Sequence, residues 1–205
     1  LTIVITATLT SAIWSVAGSG AMRLVETRGE PAAGSEPAAT VPVGAVRSPH
    51  RRDVAGGVRP DDRDLLIPVG GVPASALSDS FTDERGEGAR LHEAIDIMAP
   101  RGTPVIAAAG GTVERLHVSA AGGNTIYLRS PNRETIHYYA HLADYAPGLA
   151  EGQRVARGDR LGTVGSTGNA APDAPHLHFA ILRTTADAEW WEPATALNPY
   201  PLLAR

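Results

Sequence analysis

Two histidines separated by a single residue, His176 and His178, have the spacing in this sequence that most directly suggests chemistry. On a β-strand, residues i and i+2 project from one face about 6–7 Å apart, so one imidazole can bind a metal ion while the other acts on what the metal activates. Far upstream lie His92 and Asp96. A catalytic zinc ion takes three protein ligands from histidine and carboxylate side chains and keeps a fourth position open. Together the two segments offer such a site.

The segment that carries His92 and Asp96 must be bent. Four residues along a straight strand span about 13 Å, which is too far for two ligands of one ion. Either a helix or a bent loop leading into a strand could bring the two side chains together. Ile95 and Ile97, followed by a Pro-Arg-Gly turn at 100–102, are typical of a short buried strand with a break after it. We therefore favour the bent loop.

Three separated motifs give the chain a resemblance to a known family. They are His92-Glu93-Ala94-Ile95-Asp96-Ile97 with a Pro-x-Gly-Thr-Pro-Val segment at 100–105, Tyr138-Tyr139-Ala140-His141-Leu142, and His176-Leu177-His178-Phe179. In type and order they resemble the LytM or lysostaphin-type zinc endopeptidases, which cut bacterial peptidoglycan and contain the duplicated hybrid motif. The resemblance extends over residues 65–200.

The resemblance implies roles for five residues. The implied ligands of one zinc ion are His92, Asp96 and His178, and the implied catalytic histidines outside the metal shell are His141 and His176. The chain has no His-Glu-x-x-His motif to supply a glutamate base, and Glu93 is expected to point away from its ligand neighbour. His141 and His176 are therefore the candidates to accept the proton of water and to stabilise the oxyanion or protonate the leaving amine. Which histidine does which is left open.

Two positions depart from the family pattern. Ala94 stands where the family usually has glycine, and its methyl group restricts the backbone at the expected bend. Ala180 stands where a glutamate often follows the final phenylalanine. Loss of an outer carboxylate can cost roughly 10–100-fold in metal affinity or activity. Neither departure removes a ligand.

Short apolar segments separated by turn residues predict the fold of residues 65–205. Strands are expected at 103–106, 111–118, 124–129, 135–141, 153–155, 160–164 and 176–182. Hairpin turns at 121–124 and 131–133 favour antiparallel pairing. We expect a mostly β fold: a single antiparallel domain of the barrel-sandwich, duplicated-hybrid-motif type, with a narrow groove. Residues 77–91 and 165–175 are the candidate walls of that groove.

Other histidines and the tryptophans have simpler interpretations. His117 and His137 are expected to be ordinary strand histidines, because a lone histidine is more often packed or hydrogen-bonded than catalytic. His137 falls on the same strand face as His141 by simple alternation, so a position lining the groove is left open for it. Trp190 and Trp191 are expected to cover the hydrophobic core rather than to bind sugar.

Residues 1–22 contain a long apolar segment without charge before Arg23, which predicts export. A cleaved signal peptide and an uncleaved membrane anchor both fit, and the alternatives stay open. Residues 23–64 are rich in proline, alanine and glycine and are expected to be a disordered linker. The predicted location is the periplasm or cell envelope, with anchoring to the inner membrane as one form of it.

Composition excludes several functions. The chain has 205 residues, no cysteine and a formal net charge of −4, so disulfides and thiolate ligands are absent and nucleic acid is not an expected partner. Residues 151–162 resemble the hammerhead of biotinyl and lipoyl carrier domains. Those domains carry their cofactor on a lysine, and this chain has no lysine, so the carrier function is excluded.

The sequence therefore predicts a zinc-dependent endopeptidase that binds one Zn²⁺ ion and hydrolyses peptide bonds of peptidoglycan, in the stem peptide or the cross-bridge. The alternative is an exported, non-catalytic LytM-type regulator of other cell-wall hydrolases.

Overall fold

The structure is a computed structural model, and it describes residues 64–85 and 90–205. The predictions of a signal peptide or anchor at 1–22 and of a linker from residue 23 to residue 63 fall outside the described residues. Within the described ranges, no helix is both long enough and apolar enough to cross a membrane.

Short strands make up most of the described chain. They are β1 (Glu84–Arg85), β2 (Arg90–Leu91), β3 (Ile95–Met98), β4 (Pro104–Ile106), β5 (Gly111–Ser119), β6 (Gly123–Arg129), β7 (Thr135–Tyr145), β8 (Arg154–Val155), β9 (Arg160–Val164), β10 (His176–Arg183) and β11 (Thr195–Leu197). A 3-10 helix, Ala74–Ala76, precedes β1, and the α-helix α1, Tyr200–Leu203, follows β11. Helix is therefore a minor part of the described fold.

Every strand pair of the described residues is antiparallel. The main sheet has nine strands, with β11, β10, β7, β6, β5 and β8 in that order, while β3 pairs with β10 and β9 joins β4 to β7. Strands β1 and β2 form a separate hairpin. The prediction of a mostly β, antiparallel domain is confirmed. The sequence did not predict β1, β2 or β11, which have two or three residues each.

Strand β10 positions the terminal histidines because its two faces differ in polarity. Leu177, Phe179 and Ile181 have no exposed surface and lie in the hydrophobic core. Burial of a side chain of this size stabilises a fold by about 1.5–3 kcal/mol. Since side chains alternate along a strand, this core face directs His176 and His178 to the opposite face. A shift of one residue in register would bury both histidines and expose the core residues.

His137 on β7 is fully buried, and among the described residues neither of its ring nitrogens has a hydrogen-bond partner. Its ring stacks on Phe179, with the centroids 6.2 Å apart and the planes 12° apart. His137 therefore faces the core, and the alternative that it lines the groove is wrong. Burial lowers the pKa of His137 to about 4.

We expect His137→Leu to weaken the acid sensitivity of the fold. The unfolded chain takes up a proton at this residue below a pKa of about 6.5, whereas the folded chain takes it up only near pH 4. The stability from this neutral histidine is therefore lost as the pH falls from about 6.5 to about 4, and the loss between pH 8 and pH 5 is about 2 kcal/mol. Urea unfolding of chelator-treated protein at both pH values measures it.

The matched control for this experiment is His117→Leu, which changes a partly exposed strand histidine in the same way. The control should keep most of the wild-type pH dependence. An unchanged pH dependence in His137→Leu would contradict the assignment of the acid sensitivity to this buried ring.

Candidate metal centre

His92 reaches the site through a sharp bend before β3. Glu93 adopts a φ of 57°, and its backbone N–H donates to the Phe81 carbonyl at 2.9 Å. The His92 N–H donates to the Asp83 carbonyl at 2.8 Å. The segment is thus a bent loop and not a helix. The left-handed residue is Glu93, whereas Ala94 keeps a negative φ and is fully buried, so the alanine at this position is compatible with the bend.

Strand pairing brings Asp96 and His178 together, because the two residues are direct partners in the β3–β10 ladder. His92 then closes the group. The Nε2 atom of His92 lies 3.0 Å from Oδ1 of Asp96 and 3.0 Å from Nδ1 of His178. The same Nδ1 and Oδ1 atoms are 3.2 Å apart. Three potential ligand atoms therefore converge on one point.

This triangle fits a zinc ion. Two ligands of a tetrahedral zinc with bonds of 2.0–2.1 Å lie about 3.3 Å apart, close to the separations of 3.0–3.2 Å here. The donor set of two imidazole nitrogens and one carboxylate oxygen suits a catalytic site with an open position. The Nδ1–H of His92 donates to the Ser80 carbonyl at 3.0 Å, so its Nε2 carries a lone pair. The residues present can hold the metal.

The charges around Asp96 favour its ionised form. Burial alone would raise the pKa of its carboxyl, but the hydrogen bonds and charges of His178 and His92 hold that pKa well below its usual range. The second carboxylate oxygen, Oδ2, accepts a hydrogen bond of 2.8 Å from Nη2 of Arg85 on β1. Arg85 thus leaves Oδ1 directed at the two histidines. Burial lowers the pKa of His178 although Asp96 opposes this.

His141 enters the site through an irregularity in β7. The register of β6 against β7 shifts in this region, and His141 has a φ of 61°. Simple alternation would place His141 on the core face with His137 and Tyr139. The left-handed residue instead directs His141 into the same cavity as Tyr138 and Ala140. The direction of the His141 side chain therefore depends on a backbone feature that strand periodicity does not reveal.

Thr167 and Asn124 hold this irregular segment. The Nδ1–H of His141 donates to the Thr167 carbonyl at 2.8 Å, and the Thr167 hydroxyl donates to the Leu142 carbonyl at 2.9 Å. Asn124 Nδ2 donates to the carbonyls of Leu142 and Ala143 at 3.2 and 3.1 Å. Burial lowers the pKa of His141 to about 4, against a smaller opposite effect of its bond to Thr167. His141 is therefore neutral at pH 7, with its Nε2 lone pair free of a proton.

His176 lies beside His141, with the two ring centroids 5.0 Å apart. Its Nδ1–H donates to the Ala174 carbonyl at 2.8 Å, which also leaves Nε2 to face the site. That Nε2 atom is 3.7 Å from Oδ1 of Asp96, farther than the 3.2 Å of the His178 nitrogen. The two histidines of β10 thus differ in their distance from the candidate ligand group.

The five residues singled out in the sequence all line one cavity of about 400 Å³. Both predicted wall segments contribute to it, with Arg85 and Arg90 from one and Asn169 to Ala171 from the other. The sequence did not single out Arg85, Arg90 or Thr167. Only the position of the arginines within the predicted wall could have indicated them.

Comparisons with known proteins agree with this geometry. Residues 90–190 match the family model described as Peptidase family M23. The chain is 39% identical over 130 residues to the L-Ala--D-Glu endopeptidase of Bacillus subtilis, covering 60% of this chain and 38% of that protein. It is 38% identical over 93 residues to the peptidoglycan DD-endopeptidase ShyC of Vibrio cholerae, covering 45% of this chain and 20% of that protein. The chain thus spans less than half the length of either relative.

The fold also matches a solved structure. It superposes on the antimicrobial peptidase lysostaphin of Staphylococcus simulans with a TM-score of 0.51 and 29% sequence identity, covering 62% of this chain and 48% of lysostaphin. The match in family, the cavity and the order of the three motifs are consistent with one another. Residues 90–190 are therefore a peptidase family M23 domain of the LytM and lysostaphin type.

Proposed function

We propose that the protein is a zinc-dependent endopeptidase that hydrolyses peptide bonds of bacterial peptidoglycan, in the stem peptide or the cross-bridge. The observation that carries the proposal is the convergence of His92 Nε2, Asp96 Oδ1 and His178 Nδ1 in a cavity that also contains His141 and His176. Two relatives named as peptidoglycan or L-Ala--D-Glu endopeptidases support the substrate class.

In this proposal His92, Asp96 and His178 hold the zinc ion. When bound, zinc supplies a Lewis acid that polarises the peptide carbonyl and lowers the pKa of water toward about 7. Arg85 keeps the Asp96 carboxylate in place through the oxygen that faces away from the group. The Ser80 carbonyl accepts the Nδ1–H of His92 and so fixes the tautomer that leaves Nε2 free for the metal.

In this proposal His141 and His176 transfer the proton of the attacking water. Both donate Nδ1–H to a backbone carbonyl, so both offer an Nε2 lone pair to the cavity. One of them accepts the proton of the attacking water. The histidine that accepts this proton holds it on Nε2 and delivers it to the amine nitrogen as the peptide bond breaks. The other histidine, 5.0 Å away between ring centroids, can stabilise the developing oxyanion only when its own Nε2 carries a proton to donate.

Peptidoglycan lies outside the cytoplasm, so the proposal includes export. We propose that residues 1–22 direct export, as a cleaved signal peptide or as a membrane anchor. Residues 23–64 then serve as a linker that lets the domain reach the cell wall. The partner is the peptide part of peptidoglycan.

Digestion of purified peptidoglycan with the full chain tests the proposed function. Sacculi with direct cross-links and sacculi with glycine bridges are incubated with the protein, and new amino termini and reducing sugar ends are counted. We expect new amino termini without new sugar ends, loss of the activity with a chelator, and recovery after zinc is added back. A protein that binds zinc but releases nothing from any sacculus would contradict the proposal and favour the regulator alternative.

A further inference from the structure

The cavity differs in charge from the protein as a whole. The chain has a formal net charge of −4. The charged side chains lining the cavity, among the described residues, are Arg85, Arg90 and Asp96, which makes its wall net positive even before a divalent cation is added. Since the net charge of the chain is negative, long-range attraction does not explain the positive charge of the cavity. The local positive charge indicates a ligand with a negative group.

The two arginines face each other across the β1–β2 hairpin. Arg85 and Arg90 are direct partners in its register, which places their Cβ atoms about 5 Å apart. Like charges in this position destabilise a strand pair. Asp96 accepts a hydrogen bond from Arg85 at 2.8 Å and offsets one of the two charges. The second charge has no such compensation within the described structure.

Arg90 is exposed, lines the cavity, and has no acidic partner within salt-bridge distance among the described residues. An isolated exposed arginine would usually be a solvated charge. The pairing with Arg85 and the position on the cavity wall distinguish Arg90 from that case. Its planar guanidinium can donate two parallel hydrogen bonds to a carboxylate, a geometry that an ammonium group does not offer.

We propose that Arg90 binds a free carboxylate of the substrate, so that the enzyme selects peptides with an unblocked acidic group close to the scissile bond. This inference rests on the proposed function and narrows its substrate class. An extended peptide advances about 3.3–3.6 Å per residue. Arg90 lines the same cavity as the candidate ligand Asp96, and its partner Arg85 contacts Asp96 directly, so the carboxylate lies within a few residues of the bond that is cut.

Two peptides of identical sequence test the inference. Both have the sequence of a peptidoglycan stem peptide, and one acidic residue of that sequence is a free acid in the first peptide and a primary amide in the second. For the wild type we expect kcat/KM to be about 10–100-fold higher for the acid, as for a charge-assisted hydrogen bond. Arg90→Gln should bring the ratio close to one, and Arg90→Lys should keep part of it.

The matched control is Arg154→Gln, which removes the same charge from an exposed arginine on β8, outside the cavity lining. This variant should keep the wild-type preference. Equal rates for the two peptides with the wild type, or a preference that survives in Arg90→Gln, would overturn the inference while the peptidase proposal stands.

Binding separates the two proposals. The dissociation constants of both peptides are measured with zinc-loaded His176→Ala, which is expected to bind without turnover, and with its Arg90→Gln double variant. Tighter binding of the acid that depends on Arg90 supports the carboxylate site even if the wild type cleaves neither peptide. Equal binding, or no binding of either peptide, overturns it.

Discussion

Alanine in place of His92, Asp96 or His178 is expected to abolish zinc binding and peptidoglycan hydrolysis together. Each residue supplies one of three atoms that lie 3.0–3.2 Å from one another, and two remaining ligands are too few for a catalytic zinc site. Zinc content by atomic emission and amino-terminus release from sacculi are measured on the same sample. The wild type should also gain roughly 10 °C in Tm at zinc concentrations far above Kd, and the variants should not.

His117→Ala is the control for these variants, because His117 is a strand histidine outside the cavity lining. It should bind zinc and hydrolyse peptidoglycan like the wild type. A ligand variant that retains a full zinc equivalent would show that its residue does not bind the metal. Retained hydrolysis in all three variants would contradict the metallopeptidase proposal itself.

His141→Ala and His176→Ala are expected to keep zinc and to lose hydrolysis. Both histidines donate Nδ1–H to backbone carbonyls and turn Nε2 toward the cavity, and under the proposed function they transfer protons and do not bind the ion. Removal of a general acid or base lowers a rate by about 10²–10⁴-fold. Steady-state cleavage of a peptide substrate by zinc-loaded protein measures the loss.

The comparison within the β10 pair tests the assignment most directly. His176 and His178 share a strand face, but their nitrogens lie 3.7 and 3.2 Å from Oδ1 of Asp96. We expect His178→Ala to lose the metal and His176→Ala to keep it. The opposite result would exchange the two roles and leave the rest of the site unchanged.

The sequence predicted the parts of this site that follow from regular strands. The alternation of polar and apolar residues in β10 placed His176 and His178 on one face, because the core takes Leu177 and Phe179. The turn residues at 100–102 marked the end of β3, and the spacing of His92 and Asp96 required a bend. These features depend on local periodicity and on distances that the chain cannot exceed.

Features that depend on irregular backbone were not predictable in the same way. Alternation groups His141 with His137, yet a left-handed residue at His141 directs its side chain into the cavity while His137 stays in the core. Histidine is enriched at positive φ, but only a few per cent of non-glycine residues adopt it, so one histidine in a strand does not reveal this irregularity. The bend before β3 occurs at Glu93 and not at Ala94, where the family pattern suggested it.

Contacts between distant segments were also outside the reach of sequence reasoning. The hydrogen bond of Arg85 to Asp96 joins β1 to β3, and Thr167 reaches His141 from a loop. Gly123 makes the position of Thr167 beside His141 possible, because a side chain at Gly123 would collide with Thr167. Only the tertiary arrangement shows that these residues belong to the site.

Three of the four site histidines are oriented by main-chain oxygens, those of Ser80, Thr167 and Ala174. A carbonyl is present whatever amino acid occupies a position, so the tautomers of His92, His141 and His176 are specified by the path of the loops. Related proteins can therefore diverge in residue type at a position such as Ala174 without disturbing the imidazole, whereas Thr167 and Ser80 also use their hydroxyls, which bond to the Leu142 carbonyl and the Asp96 N–H. A position that orients a site histidine through its carbonyl can therefore tolerate substitution. Sequence variability at such a position does not show that it lies far from the site.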